Sequence, residues 1–357
     1  MAIRVERTRR PRPRPAPADL GFGQHFTDHV FRADYDAERG WHGARVEPYG
    51  PIALDPAAAA LHYGQSVFEG LKAFRGADGA LGLFRPTAHA ARLASSAQRL
   101  CMPAPDQALV VEGMKALVAA DADWVPDGPG TSLYLRPLLF ATEAFLGVRP
   151  ARSYALVVLA SPVGGYFGGA PRRLKLWVER ERTRAAPGGV GAAKTGGNYA
   201  ASLLAAEAAR ARGCDQVLWT DAATHRLAEE AGTMNFFAQL GGVVVTPPLG
   251  DTLLAGVTRD SVLTLLREAG VRVEERPLAI DELVAAGRAG ALGEAFGTGT
   301  ASVVAPVGEL RWDGGALEIA DAGPEAAGER ARRALVAIQR GEAPDRHGWV
   351  ERVAAAR

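Results

Sequence analysis

A single lysine held between two glycine-rich turns is the strongest constraint in this chain: Gly188-Gly189-Val190-Gly191-Ala192-Ala193-Lys194-Thr195-Gly196-Gly197-Asn198-Tyr199. Glycine permits backbone geometries and close approaches that a Cβ forbids, so such a loop can wrap a bulky group around one amine. An amine placed in a pocket is the usual partner of a carbonyl cofactor, with which it forms a Schiff base. A lysine on a glycine-rich loop is otherwise most often a solvated surface residue. The residues around it have to decide between the two.

With 357 residues the chain is long enough for two domains with separate cores. Lysine and arginine total 41 against 40 acidic residues, a near-balance that argues against nucleic acid or an anionic membrane as the main partner. The apolar run Ser153–Ala160 is far too short to span a bilayer. Cys101 and Cys214 stand far apart and form neither a CxxC pair nor a disulfide framework. The seven histidines are scattered without ligand spacing, so no metal is expected, and the chain reads as cytoplasmic. Residues 1–25 are rich in arginine and proline and lack an apolar stripe, which suits an extended or mobile arm rather than an amphipathic transit peptide.

The pattern along the chain is α+β. A hairpin is expected around Gly76–Gly79, then a helix opened by Pro86-Thr87 and running to about Leu100, a second helix near 112–120, and strands at 131–140 and 153–160. The Gly/Pro-rich stretch 161–173 reads as an interdomain loop between a small N-terminal domain (26–160) and a larger C-terminal domain (174–357). In the second half, strands follow at 174–179, 217–221, 227–229, 235–240 and 243–246. A helix is expected from about Tyr199 to Arg212, and another carries the stripe Val262, Leu265, Leu266 and Ala269. The tail beyond about Asp321 reads as helix.

The run AAKTGGNYAASLLAAEA resembles the lysine region of the branched-chain aminotransferases, pyridoxal-phosphate enzymes of fold type IV. That fold also contains D-amino-acid aminotransferase and aminodeoxychorismate lyase. The resemblance continues in family order through FTDHVF (26–31), LHYGQSVFEGLKAFRG (61–76), LYLRP (133–137), EEAGTMNFF (229–237), TPPLGDTLLAGVTRDSV (246–262) and FGTGTASVVAPVG (296–308). It implies a small N-terminal α/β domain and a larger C-terminal pseudo-barrel domain. It also implies a homodimer, small-molecule substrates and the cofactor pyridoxal 5'-phosphate. The implied reaction is reversible transfer of the amino group of L-leucine, L-isoleucine or L-valine to 2-oxoglutarate. The alternative is another activity on the same scaffold, of the D-amino-acid aminotransferase or aminodeoxychorismate-lyase type.

The resemblance also implies the site. Lys194 is the Schiff-base residue and general base, Glu230 faces the ring nitrogen, and Tyr199 hydrogen-bonds the ring oxygen. Thr233 and Asn235 belong to the same cofactor-binding motif. Arg92, the helix start Gly256-Val257-Thr258, and Thr300 hold the phosphate, the helix start because backbone N–H groups converge there. Tyr63 and Phe68 line an apolar wall, and Thr300 and Ala301 take the substrate α-carboxylate. Tyr134 and Arg136 alternate onto one strand face, from which the guanidinium can pair with the second carboxylate of glutamate. Tyr166, on the interdomain loop, is a lid candidate. The thiol pair that some members carry after the Gly-Thr-Ala turn is replaced here by Ser302-Val303-Val304, so no redox control is expected.

Overall fold

The computed structural model describes residues 2–164 and 172–354, so Tyr166 lies outside the described residues. The chain divides into two compact units, Met1–Gly168 with Ala193–Gly196 and Ala337–Arg357, and Gly169–Ala192 with Gly197–Val336. This division departs from the one read in the sequence in two places. The lysine segment and the C-terminal tail both belong to the first unit, although each lies far along the chain.

The first unit is built from β1 (Arg4–Val5), β2 (His29–Asp36), β3 (Gly40–Pro48), α1 (Ala59–Tyr63), β4 (Ser66–Phe68) and β5 (Leu71–Arg75). It continues with β6 (Leu81–Phe84), α2 (Pro86–Arg99), α3 (Gln107–Ala120), β7 (Ser132–Ala141) and β8 (Ser153–Val163). Its sheet runs β1-β3-β2-β8-β7-β5-β6, with β4 paired to β7. The arm is not separate, because β1 adds in parallel to β3 and Thr8 N–H donates to His29 Nε2 at 2.8 Å. The expected linker also begins too early: Ser161–Val163 continues β8 against β7. Pro162 is tolerated there because β2 pairs with β8 only as far as Val158, which leaves one side of the strand without a β2 partner.

Strand periodicity gives this sheet two distinct faces. Leu133, Leu135 and Leu139 of β7, Leu71 and Ala73 of β5, and Leu156 and Val158 of β8 form one apolar core with α2 and α3. Helix α2 buries Pro86, His89, Ala90, Leu93, Ser96 and Ala97, a spacing of three and four that turns one stripe toward the sheet. The opposite face of β7 carries Ser132, Tyr134 and Arg136.

The second unit comprises β9 (Leu174–Val178), α4 (Gly196–Ala211), β10 (Gln216–Thr220), β11 (Ala228–Ala231), β12 (Met234–Leu240) and β13 (Val243–Thr246). It continues with α5 (Val257–Glu268), β14 (Val273–Glu275), α6 (Ile280–Arg288), β15 (Leu292–Gly299), β16 (Val303–Trp312) and β17 (Gly315–Glu318). Helix α7 (Ala327–Gln339) follows, with Gly328 packed on Phe296 of β15. Because β11 pairs with both β10 and β12, the strands β11-β10-β9-β16-β15-β12 close on themselves. This ring is the pseudo-barrel expected of the larger domain, and the architecture is α+β. The tail is helical only as far as α7. Beyond it, β18 (Val350–Val353) pairs antiparallel with β6, where Glu351 and Arg352 meet Leu83 and Gly82.

Gly113 shows how tightly the first core is filled. A Cβ there would stand 2.6 Å from the ring of Phe31, which is wholly buried. Alanine is intrinsically a better helix residue by about 1 kcal/mol, but overpacking a filled core costs about 1–3 kcal/mol. Gly113→Ala should therefore lower the denaturant midpoint of the protein, whereas propensity alone would raise it.

Candidate active site

In the first unit, Lys194 is carried on a strap laid along β4. Phe68 N–H donates to the Lys194 carbonyl at 2.9 Å, and Lys194 N–H donates to Ser96 Oγ of α2 at 2.9 Å. Thr195 Oγ1 donates to the Ser66 carbonyl at 2.8 Å. These bonds fix the backbone on both sides of the side chain. The ammonium of Lys194 lies 4.9 Å from the centre of the Phe68 ring, and the guanidinium of Arg136 lies 4.8 Å from the same ring. Arg136 also donates from Nη2 to the Tyr134 hydroxyl at 3.2 Å. Tyr134 passes directly over Gly70, where a Cβ would fall 1.9 Å from its hydroxyl oxygen, and Phe22 packs edge-on against it at 5.0 Å. The structure thus gathers Lys194, Phe68, Tyr134 and Arg136 into one group.

Tyr63 is not in this group. It ends α1, is substantially exposed, and donates its hydroxyl to the Leu146 carbonyl. Short α1 turns its last residue outward, a placement that the motif order could not reveal.

Arg92 is held by Glu69, which the sequence reading passed over. Its Nε and Nη2 donate to the two Glu69 carboxylate oxygens at 2.6 and 2.9 Å, and His89 Nδ1 lies 2.8 Å from Oε2. Burial by itself would raise the Glu69 carboxyl, yet Arg92 and His89 hold it well below the usual carboxylate range. Burial pushes the His89 imidazole down despite its Glu69 partner. The signal available in the sequence was the i, i+3 spacing of His89 and Arg92, with Glu69 in the FEG motif.

In the second unit, Arg184, Asn198, Tyr199, Ser202, Glu230, Gly232, Thr233, Asn235 and Leu254 line an open cleft. Glu230 stands on β11 with one carboxylate oxygen accepting from Leu254 N–H at 2.7 Å. Its other oxygen lies 3.2 Å from Arg184 Nε, which is close enough for an ion pair although that N–H is not aimed at it. The next-door Glu229 takes a different environment, as strand alternation requires. It accepts from Thr252 Oγ1 at 2.5 Å, and burial pushes its carboxyl up. Arg184 is the residue that sequence reasoning missed. It ties its loop to the Gly191 and Thr252 carbonyls, and nothing in its local sequence distinguishes it from a surface arginine.

Helix α5 has Gly256 as its N-cap, a residue with no side chain to cap it. Asn235 Nδ2 donates to the Leu254 carbonyl at 2.9 Å, and Asn235 Oδ1 would lie 2.0 Å from any Cβ at position 256. Only glycine allows the chain to pass there. Thr258 is buried in the first turn, and Thr298, which faces Asn235 across β12 and β15, has a buried hydroxyl with no hydrogen-bond partner among the described residues. Thr300 and Ala301 form the turn between β15 and β16. A helix start of this kind draws an anion by its converging amides and its dipole. Within the second unit the donor set therefore fits the phosphate and ring nitrogen of a phosphorylated pyridine: a glycine-opened helix start and a fixed carboxylate in a cleft.

The family described as amino-transferase class IV matches residues 66–310, and the chain belongs to it. It is 51% identical over 338 residues to the branched-chain-amino-acid aminotransferase of Mycobacterium tuberculosis, covering 93% of this chain and 92% of that protein. It is 47% identical over 353 residues to branched-chain-amino-acid aminotransferase 2 of Bacillus subtilis, covering 99% of this chain and 97% of that protein. The crystal structure of the Escherichia coli branched-chain amino acid aminotransferase superposes with a TM-score of 0.77 at 28% identity, over 92% of this chain and 99% of that one. A second branched-chain amino acid aminotransferase, solved with pyridoxamine 5'-phosphate, gives 0.74 at 28% identity, over 91% of this chain and 98% of that one.

Removing one member of a buried ion pair costs about 3–5 kcal/mol, because the other charge loses its compensation. Glu69→Gln should destabilise the protein by that order at neutral pH. The folded-state pKa of Glu69 is depressed, so its contribution is complete above the ordinary value of 4.5 and fades as the pH falls below it. Denaturant unfolding of both proteins should show a gap that is full at pH 7 and narrows as the pH is lowered through the carboxylate range.

Proposed function

We propose that this class IV aminotransferase moves the amino group of L-leucine, L-isoleucine or L-valine to 2-oxoglutarate, and the reverse, with pyridoxal 5'-phosphate as cofactor. The observation that carries the reading is the grouping of Phe68, Tyr134 and Arg136 beside Lys194. It offers an apolar aromatic wall for a branched side chain, with one phenol and one guanidinium at its edge for a carboxylate. The near-full-length likeness to branched-chain enzymes supports the same substrate class.

When bound, pyridoxal phosphate supplies an aldehyde that takes up the amino group and a ring that accepts electron density. The chain's own residues do the rest. Lys194, fixed by its bonds to Phe68 and Ser96, moves the proton at the substrate Cα. Glu230, held by the Leu254 amide beside Arg184, keeps a negative charge opposite the ring nitrogen. The amides that open α5, with Thr258, hold the phosphate, and Arg92 adds a cation whose direction Glu69 sets. Tyr199, Thr233 and Asn235 line or support the cleft in which Glu230 stands, and Thr300 with Ala301 offers a turn for the α-carboxylate. The protein works in the cytoplasm as a homodimer on small molecules.

Lys194→Ala should cut leucine-to-2-oxoglutarate transfer by at least about 10²–10⁴-fold, the usual worth of a positioned base, measured as glutamate formed. Borohydride treatment of the wild type followed by peptide mapping should tag Lys194; a tag on Lys72, Lys115 or Lys175 would overturn the assignment. A wild type that uses D-alanine and ignores L-leucine would replace the branched-chain reading with that of a D-amino-acid enzyme. Glu230→Gln should keep the Leu254 bond but lose the charge. A charge-assisted bond is worth about 1.5–3 kcal/mol, so proton transfer at Cα should slow roughly ten- to a hundredfold. A deuterated-leucine isotope effect larger in the variant than in the wild type would locate the loss at that step.

A further inference from the structure

Lys72 sits deep in the first unit, on β5, and has no part in the mechanism above. Its register partner on β7 is Tyr134, and the register partner of Tyr134 on the other side is Ser161 of β8. Residues directly opposite in antiparallel strands share a face. Lys72, Tyr134 and Ser161 therefore form a row across three strands, on the face that carries Arg136 and away from the apolar core.

Among the described residues, three buried polar groups on this face lack hydrogen-bond partners, Ser132 Oγ among them. Ser161 Oγ has none, with its residue only 4% exposed, and neither does Nε of Arg136. A buried donor left unpaired is costly, and such groups mark places where a ligand atom belongs. Burial pulls the Lys72 ammonium down to about 8, which leaves it cationic at neutral pH. A hydroxyl, a guanidinium N–H and an ammonium suit a carboxylate, and a branched alkyl side chain needs none of them.

We propose that Lys72 and Ser161 are specificity-determining residues that, with Arg136 and Tyr134, recognise the side-chain carboxylate of glutamate and 2-oxoglutarate. This rests on the dual-substrate reading of the site. The row supplies charge from β5 and a hydroxyl from β8, so the dicarboxylate is met from both flanks of Tyr134. A branched aliphatic substrate uses Phe68 instead and leaves the row unengaged.

The test uses the purified holoenzyme and two unreactive probes, glutarate for the dicarboxylate and 4-methylvalerate for the branched chain. Their binding is measured by calorimetry, alongside single-turnover rates with L-glutamate and L-leucine. Lys72→Met should weaken glutarate by at least about tenfold and leave 4-methylvalerate within about twofold, as expected for losing a charged partner. Lys72→Arg should restore most of the glutarate affinity. Ser161→Ala, which removes one oxygen from the same face, should weaken glutarate alone by about threefold, and it serves as the test if Lys72→Met does not fold. Equal weakening of both probes, or no change in either variant, overturns the proposal. A wild type that transfers no amino group from L-leucine overturns the substrate reading itself, an outcome separate from either of these.

Discussion

The two-residue period of β7 is the constraint on which the first unit depends. Leu133, Leu135 and Leu139 point into the core with α2 and α3, so Ser132, Tyr134 and Arg136 must point the other way. A slip of one residue against β8 would bury the guanidinium among leucines and expose the leucines in its place, which fixes the register strongly. The same alternation places Lys72 and Ser161 beside Tyr134 and aligns Phe68 with Leu138. The chemical face is thus a by-product of core formation.

Charge burial follows a common logic in both units. Glu69 and Glu230 are each almost wholly buried, and each is matched by an arginine and a further hydrogen-bond donor. Taking a carboxylate out of water is expensive unless its lone pairs are occupied, and these partners offset that cost. A carboxylate with fixed partners also cannot turn aside. Glu69 aims Arg92, while Leu254 N–H and Arg184 aim Glu230. Glu229, one residue away, has only the Thr252 hydroxyl on one of its oxygens, and its carboxyl is pushed up by burial.

Much of this was legible in the chain. The glycine-flanked lysine, the EEAGTMNFF strand pair, the Gly-Val-Thr helix start and the LYLRP alternation depend on local geometry, which sequence states directly. Local rules placed the hairpin at Gly76–Gly79 and the stripe of α5, and they gave the α+β class. They could not place Tyr63, because which way a single-turn helix leaves its last side chain depends on what it packs against.

What only the tertiary structure decided are the partnerships between distant segments. That Ala193–Gly196 and the segment Ala337–Arg357 join the first unit, and that β18 pairs with β6, rests on backbone hydrogen bonds between strands that any extended segment could offer. Glu69 with Arg92, Glu230 with Arg184, and Lys72 with Ser161 through Tyr134 are similarly invisible in one dimension. A side chain's chemistry is set by its own residue, whereas its charge partner and its solvent exposure are set by residues that the fold brings to it.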